Sequence, residues 1–399
     1  MKTKITLLAL FLVTFFSNAA DLIVQENGPT GTYPTISQAI TAAVNGDRII
    51  VYPKIGDNPY IEDITIDKSL EFASAQDAVR YKIQGNITLV PLNNRTITLI
   101  GAHITSGSIS SSGTGWRTNV NIMNCILDGG NITLNNQFYS SIVSNILNSG
   151  NITISHGRVV GNDLVSDTES RISVSSSTSI NNDTVEIIAN KCKQISCLQN
   201  NVFLNVYNNL IRKLNGISNF DSFLYTFSDT SNTKVKFYNN TVLTPKSTAS
   251  SSSDRNNYFF CTSNADIRNN IFVRTANSSN PVSLFSVTPN SSKTNNYYYL
   301  TEIAVISGSL NSQILTNNPV SQTTGELIPP TAAQNGADPS FEFYDLDLTI
   351  GDAGCYGGSY TLDNYFPITG SSRVFSVDMP FGIINNGSPL QIKAEGFDR

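Results

Sequence analysis

Gly85-Asn86-Ile87-Thr88-Leu89 is the stretch on which the fold turns. The pattern returns at Gly130-Asn131-Ile132-Thr133-Leu134 and, with a final Ile, at Gly150-Asn151-Ile152-Thr153-Ile154. From Asn to Asn the intervals are 45 and then 20 residues. Each copy opens on glycine and asparagine, which tolerate left-handed backbone, and continues as an apolar–polar–apolar triplet. That is a corner followed by a short strand with one apolar side. A second pattern, Asn-Asn followed by an apolar residue or Thr, occurs at 200–201, 208–209, 239–240 and 269–270. Its later copies are 30 to 31 residues apart.

Units of 20 to 31 residues, each holding short alternating runs, predict a solenoid. Thr96-Ile97-Thr98-Leu99, Val120-Asn121-Ile122, Ile172-Ser173-Val174 and Val235-Lys236-Phe237 alternate as the pentads do. Strands this short cannot bury a face alone, but stacked coils merge their inward side chains into one core. A sandwich of hairpins would place Asn-Gly turns between matched strands. Here those dipeptides, at 45–46, 215–216, 335–336 and 386–387, fall mostly outside the repeats. The Asn-Asn pairs predict ladders of amides bonded from coil to coil. About 300 repetitive residues exceed what one compact core holds, whereas a solenoid grows along its axis. The expected fold is all-β: a right-handed parallel β-helix of roughly thirteen coils, a rod about 60 Å long. Pro34 to Ala43, with Ile36, Ala39, Ile40 and Ala43 at helical spacing, predicts a capping helix over the first coil.

Residues 1–20 read as a signal peptide: Lys2 and Lys4, an apolar Ile5-to-Phe16 stretch, then Ser17-Asn18-Ala19. The apolar stretch is short of the roughly 20 residues a membrane span needs. The expected organisation is a signal peptide (1–20), a β-helix with its N-terminal cap (21–360) and a small C-terminal β extension (361–399). The mature chain is expected to be secreted, periplasmic or at the cell surface, monomeric, and without a membrane span. Charged residues are 14% of the chain, against about 25% in an average domain, and the net charge is −5. No Lys/Arg cluster stands out, which argues against nucleic acid. Five cysteines permit two disulfides at most; Cys192 and Cys197 are close enough to pair, while Cys125, Cys261 and Cys355 are isolated. The plainer reading of all five is as small buried hydrophobes.

Tyr33-Pro34-Thr35-Ile36-Ser37-Gln38-Ala39-Ile40, followed by Asn45-Gly46-Asp47-Arg48-Ile49-Ile50-Val51, resembles the opening of the pectin lyase-like superfamily. There a helix leads into Gly-Asp-x-Ile-x-Val and a Pro-Gly-x-Tyr turn. This chain departs at the turn, with a small insertion between Pro53 and Tyr60, and resumes at Ile64-Thr65-Ile66. Asp338-Pro339-Ser340, Tyr344-Asp345-Leu346-Asp347 and Gly354-Cys355-Tyr356-Gly357-Gly358 are similar to the segment closing many right-handed β-helix proteins of Bacteroidetes type. The resemblance implies the fold and leaves activity open.

The superfamily includes pectinesterases, polygalacturonases and polysaccharide lyases, and their motifs fit poorly. No Asp-Phe-Ile-Phe-Gly and no Asp-Asp occurs, and Ser155-His156-Gly157-Arg158 answers to the His motif of polygalacturonases faintly. A lyase needs one base and a cation, often calcium; Arg158 with Asp163 and Asp128 is the cluster the spacing offers. The plainer reading makes these solvated turn residues, and His103 a satisfied or exposed strand residue. Asp345, Asp347 and Asp352 around Gly351 form a candidate calcium site, against plain turn chemistry. Asn-x-Ser/Thr triplets at Asn86, Asn131, Asn151 and Asn182 arise wherever a strand Thr follows a corner Asn. Two functions remain: a non-catalytic module binding polysaccharide or cell-surface glycan, or a lyase acting on uronate polymers. A Lys/Arg and carboxylate groove midway along the rod is what the lyase requires. Threonine spacing looks too irregular for an ice-binding or adhesin face.

Overall fold

A computed structural model describes residues 19–77, 79–113, 117–164, 170–175, 183–197, 202–212, 224–226, 234–244, 259–261, 264–274, 282–283, 285–300, 304–305, 310–368, 373–378 and 393–397. The signal-peptide residues before Ala19 and the sequon Asn182 lie outside them. Each coil visits three faces in turn. Face A holds strands such as Leu70–Ser74 and Thr96–Ile100, face B Tyr81–Gln84 and Ala102–Ser106, and face C Ile87–Leu89 and Ile109–Ser111. Every pairing between coils is parallel, as a right-handed β-helix requires. Among the described residues face B is a twelve-stranded sheet, a rod of about 50 Å at the strand spacing. Faces A and C join into one sheet through Ile132–Val143 and Ile152–Val160, which run unbroken from face C of one coil to face A of the next.

Period-two alternation decides what each strand buries. On face C, Ile64, Ile87, Ile109, Ile132, Ile152, Ile172 and Ile195 stack in register, all 2% exposed or less. Each contributes about 2 kcal/mol of burial, and one apolar column runs from Leu22 to Tyr298. The outward neighbours Thr65, Thr88, Ser110, Thr133 and Thr153 form an equally regular hydroxyl column, continued by the buried Ser173 and Ser196. The irregular threonine spacing expected from the sequence is therefore a property of loop lengths and not of the surface.

The two repeats are two corners. At the corner between faces B and C, Gly85, Gly107, Gly130 and Gly150 have φ of 148°, 120°, 101° and 135°. A Cβ on Gly107, Gly130 or Gly150 would lie within 2.2 Å of the preceding glycine's carbonyl oxygen. The side chains that follow, Asn86, Ser108, Asn131 and Asn151, each accept the backbone N–H of the next coil. The sequon asparagines 86, 131 and 151 thus serve as corner residues.

At the corner between faces A and B, Asn145, Asn162, Asn190, Asn209, Asn240, Asn270 and Asn296 are fully buried. Each of the first six donates its Nδ2 to the Oδ1 of the next at 2.9–3.1 Å. The expected amide ladder exists, but its rungs are the second Asn of the pairs 208–209, 239–240 and 269–270, the pair 200–201 lying outside the described residues. The first takes a left-handed φ near 55°, as at Asn208 and Asn239, and points outward.

The N-terminal cap is the helix Ile36–Ala42, packed on the first strands with Ile36, Ala39 and Ile40 buried. Thr35 caps it, and the Glu62 carboxylate of the next coil accepts the N–H groups of Ile36 and Ser37 at 2.9 Å. Asp47 of the Gly-Asp motif ties Ala20 and Val44 by their N–H groups. At the other end the coils stop at Gln313–Ile314, short of residue 360. Residues 315–368 instead run back along the outside of the A–B corner as a strap. Val320, Ala333, Ala353, Cys355, Leu362 and Tyr365 of the strap pack on Val143, Val160, Ala189, Leu210 and Ile271 of the coils. Arg373–Asp378 and Lys393–Phe397 form an antiparallel pair. All five cysteines are buried, with Cys192 and Cys197 facing the core from different strands. Burial pushes the Cys355 thiol up to about 12. Among the described residues no helix is long and apolar enough to cross a membrane.

Candidate functional site

The outward column of face B changes character halfway along the rod. Lys82, His103, Ile126, Ile146, Asp163 and Lys191 follow one another in register and are partly exposed. The next positions, Leu210, Thr241, Ile271 and Tyr297, are buried beneath the strap. Cover by the strap, more than residue type, separates the halves: Ile126 and Ile146 keep some exposure on the open half, while Thr241 is fully buried on the covered one.

Where the strap ends, a cleft of about 470 Å³ opens between it and the sheet. Alternation around the inward Cys192 turns Lys191 and Lys193 outward, and Arg212 stands one rung further on. Asp163 lies beside Lys191 on the preceding rung. The strap adds Glu326, Tyr356, Asp363 and Phe366. Arg212 Nη1 donates to Thr323 O at 2.8 Å, and the Tyr356 hydroxyl to Thr324 O at 3.0 Å, so both sides of the cleft are pinned. Lys191 Nζ sits 3.9 Å from the centre of the Phe366 ring. Burial pushes the Asp163 carboxyl above its usual range, opposed by Lys191 and Arg212. Three cations, three carboxylates and two aromatic rings therefore converge on one concave surface, the usual form of a polar-ligand site.

The clusters expected from the sequence are redistributed. Arg158 does not join Asp163 and Asp128: it lies on face A, its Nε 3.0 Å from Ser141 Oγ, while both aspartates lie on face B. The corner at Gly161-Asn162 separates side chains that are five residues apart in sequence. His103 is satisfied, its Nε2 lying 2.8 Å from Asp128 Oδ2, while Asn148 donates to Asp128 Oδ1 at 2.8 Å. His156, nearly buried on face A, has Nδ1 3.0 Å from Asp183 Oδ2 in poor hydrogen-bond alignment. Burial pushes this imidazole below its usual range, and Asp183 opposes the shift.

Asp345, Asp347 and Asp352 each serve the strap's own backbone. Asp345 accepts from the N–H groups of Gly358 and Asp352, Asp352 from Asn335, and Asp347 from Thr349. Among the described residues no group of three or more His, Cys, Asp or Glu is gathered as a metal site would need. Sequence reasoning passed over Lys191, Lys193, Arg212, Tyr356 and Phe366. The Lys-Cys-Lys alternation at 191–193 marks two outward cations, but nothing local announces that a segment over 100 residues later lies across them.

No protein-family profile matches the chain. No curated protein matches it. A solved structure described as pectate lyase Pel9A overlaps 87% of this chain and 98% of its own, at 11% identity and a TM-score of 0.41.

Proposed function

We propose that this chain is an exported glycan-binding β-helix whose site is the cleft at the end of the strap. The observation that carries the reading is the convergence of Lys191, Lys193 and Arg212 with Asp163, Asp363, Tyr356 and Phe366. Sugar hydroxyls need donors and acceptors in alternation, and the cleft's charges supply both with no large net sign. Its rings offer apolar surface for the carbon face of a pyranose. The test is a glycan array followed by calorimetry on the protein and on Arg212→Ala and Lys193→Ala. Each variant should lose about tenfold in affinity, as removal of a charged contact does. An array without binders, or variants binding like the parent, would refute the site. Export is tested by sequencing the mature N-terminus, expected at Ala20 or Asp21.

A second reading, elimination on a uronate polymer, is favoured by the place of these cations midway along the rod. There one of Lys191, Lys193 or Arg212 would face the sugar carboxylate and another take the C5 proton. Incubation with uronate polymers distinguishes the two, because elimination leaves an unsaturated product that absorbs in the ultraviolet. Binding without absorbance selects the module.

A further inference from the structure

The strap has a second edge. On its face-A side, Tyr207 and Tyr238 occupy successive rungs in register and stack with centroids 5.3 Å apart. Tyr360 of the strap stacks on Tyr207 at 6.1 Å, and Phe343 meets Tyr238 edge-on at 5.4 Å. These rings line a hollow of about 190 Å³. Pockets for drug-sized molecules begin near 300 Å³, so this one suits a single small ring.

The polar groups around it fall into two classes. Asn208 and Asn239 donate their amides to the strap carbonyls of Gly357 and Asp352, and Tyr238 donates its hydroxyl to Asp266 at 2.6 Å. These are spent on holding the strap and fixing the ring. The side chains of Lys236, Glu342 and Ser359 line the same hollow and make no hydrogen bond or ion pair with any described residue. One cation, one carboxylate and one hydroxyl are thus unspent beside an aromatic wall. Their charges cancel, which favours neither an anion nor a cation. The rings already lie against one another, so the hollow presents faces and edges rather than a slot for a flat base. Beyond its rim Phe341 stacks on Tyr344 at 4.8 Å and is 68% exposed, extending the aromatic surface outward.

We infer that this hollow is a second binding site, for one neutral pyranose unit. Its rings meet the apolar face of the sugar, and Lys236, Glu342 and Ser359 meet its hydroxyls. It shares no lining residue with the cleft and does not depend on the cleft's function. If both sites take units of one branched glycan, the second contact becomes intramolecular and avidity exceeds either affinity.

Saturation-transfer NMR on the full protein tests it, with methyl glucoside, galactoside, mannoside and xyloside as probes and adenosine and choline as rivals. Transfer is expected to the ring protons of at least one glycoside. Tyr360→Ala should weaken it about tenfold and Glu342→Gln about threefold, with Tyr360→Phe at parental strength. Glu342 is exposed, so its variant reads the site without disturbing the strap's packing. No transfer from any glycoside overturns the proposal. So does parental binding by both Tyr360→Ala and Glu342→Gln, or preferred binding of adenosine or choline. Loss in the Lys193→Ala variant alone would place the sugar in the cleft and remove this second site.

Discussion

The two corners of the coil use the same pair of residue types and place the constraint on opposite members. At the B–C corner the first residue is glycine in four successive coils, while the second changes from Asn86 to Ser108 to Asn131. At the A–B corner the first residue runs through Ser144, Gly161, Ala189 and Asn208, while the second is asparagine in seven successive coils. Backbone angle and burial explain the exchange. A φ of 101° to 148° lies beyond the left-handed helical region, where other residues pay about 1–3 kcal/mol, and the stacked carbonyl leaves no room for a Cβ. A φ near 55° is one that Asn takes readily and Ser or Ala at modest cost. Water reaches Asn86 and Asn131 and can replace a lost side chain, but it does not reach Asn209. A buried partner left unpaired costs about 1–3 kcal/mol.

Four substitutions test that account by urea unfolding. Gly130→Ala should cost the most, about 3–4 kcal/mol, because angular strain and a Cβ 2.1 Å from the Gly107 carbonyl oxygen add together. A loss under about 1 kcal/mol would mean that the corner simply opens. Asn209→Ala comes next at about 2–3 kcal/mol, since it strips an acceptor from the Asn190 amide and a donor from the Ile187 carbonyl. Asn131→Ala, the same change at the other corner, should cost no more than about 1 kcal/mol. Equal losses for the two asparagines would show that burial is not what separates the corners. Ala189→Gly should leave the midpoint almost unmoved, as relief of about 1 kcal/mol in the left-handed residue offsets one lost buried methyl, about 0.8 kcal/mol. A large shift in either direction would show that this position carries more than its backbone angle.

The open and strapped halves of face B make a related contrast. Ile126 and Ile146 keep some exposure on the open half, whereas Leu210 and Ile271 at the same outward position are 3% and 0% exposed. An outward apolar residue on a solenoid strand therefore does not by itself signal a covering segment. Leu210, Val273 and Tyr297 are outward and apolar, but so are Ile126 and Ile146, and neither the pentads nor the Asn-Asn pairs separate the two halves. The same limit explains the Arg158, Asp163 and Asp128 grouping. Counting coils places residues along the axis, but a corner between two of them turns their side chains onto different faces.

Strand alternation, the glycine–asparagine corners and the capping helix are local. The backbone angle a glycine permits and the side a strand residue faces depend on near neighbours, so the amino-acid sequence alone determined the coil and its parallel stacking. The return of residues 315–368 depends on an outer surface that exists only once the coils are stacked. Arg212 bonded to the Thr323 carbonyl, and Tyr360 stacked on Tyr207, are contacts across more than 100 residues that no local pattern encodes. Tertiary structure decided both candidate sites, because each has one wall on the coil and the other on the strap.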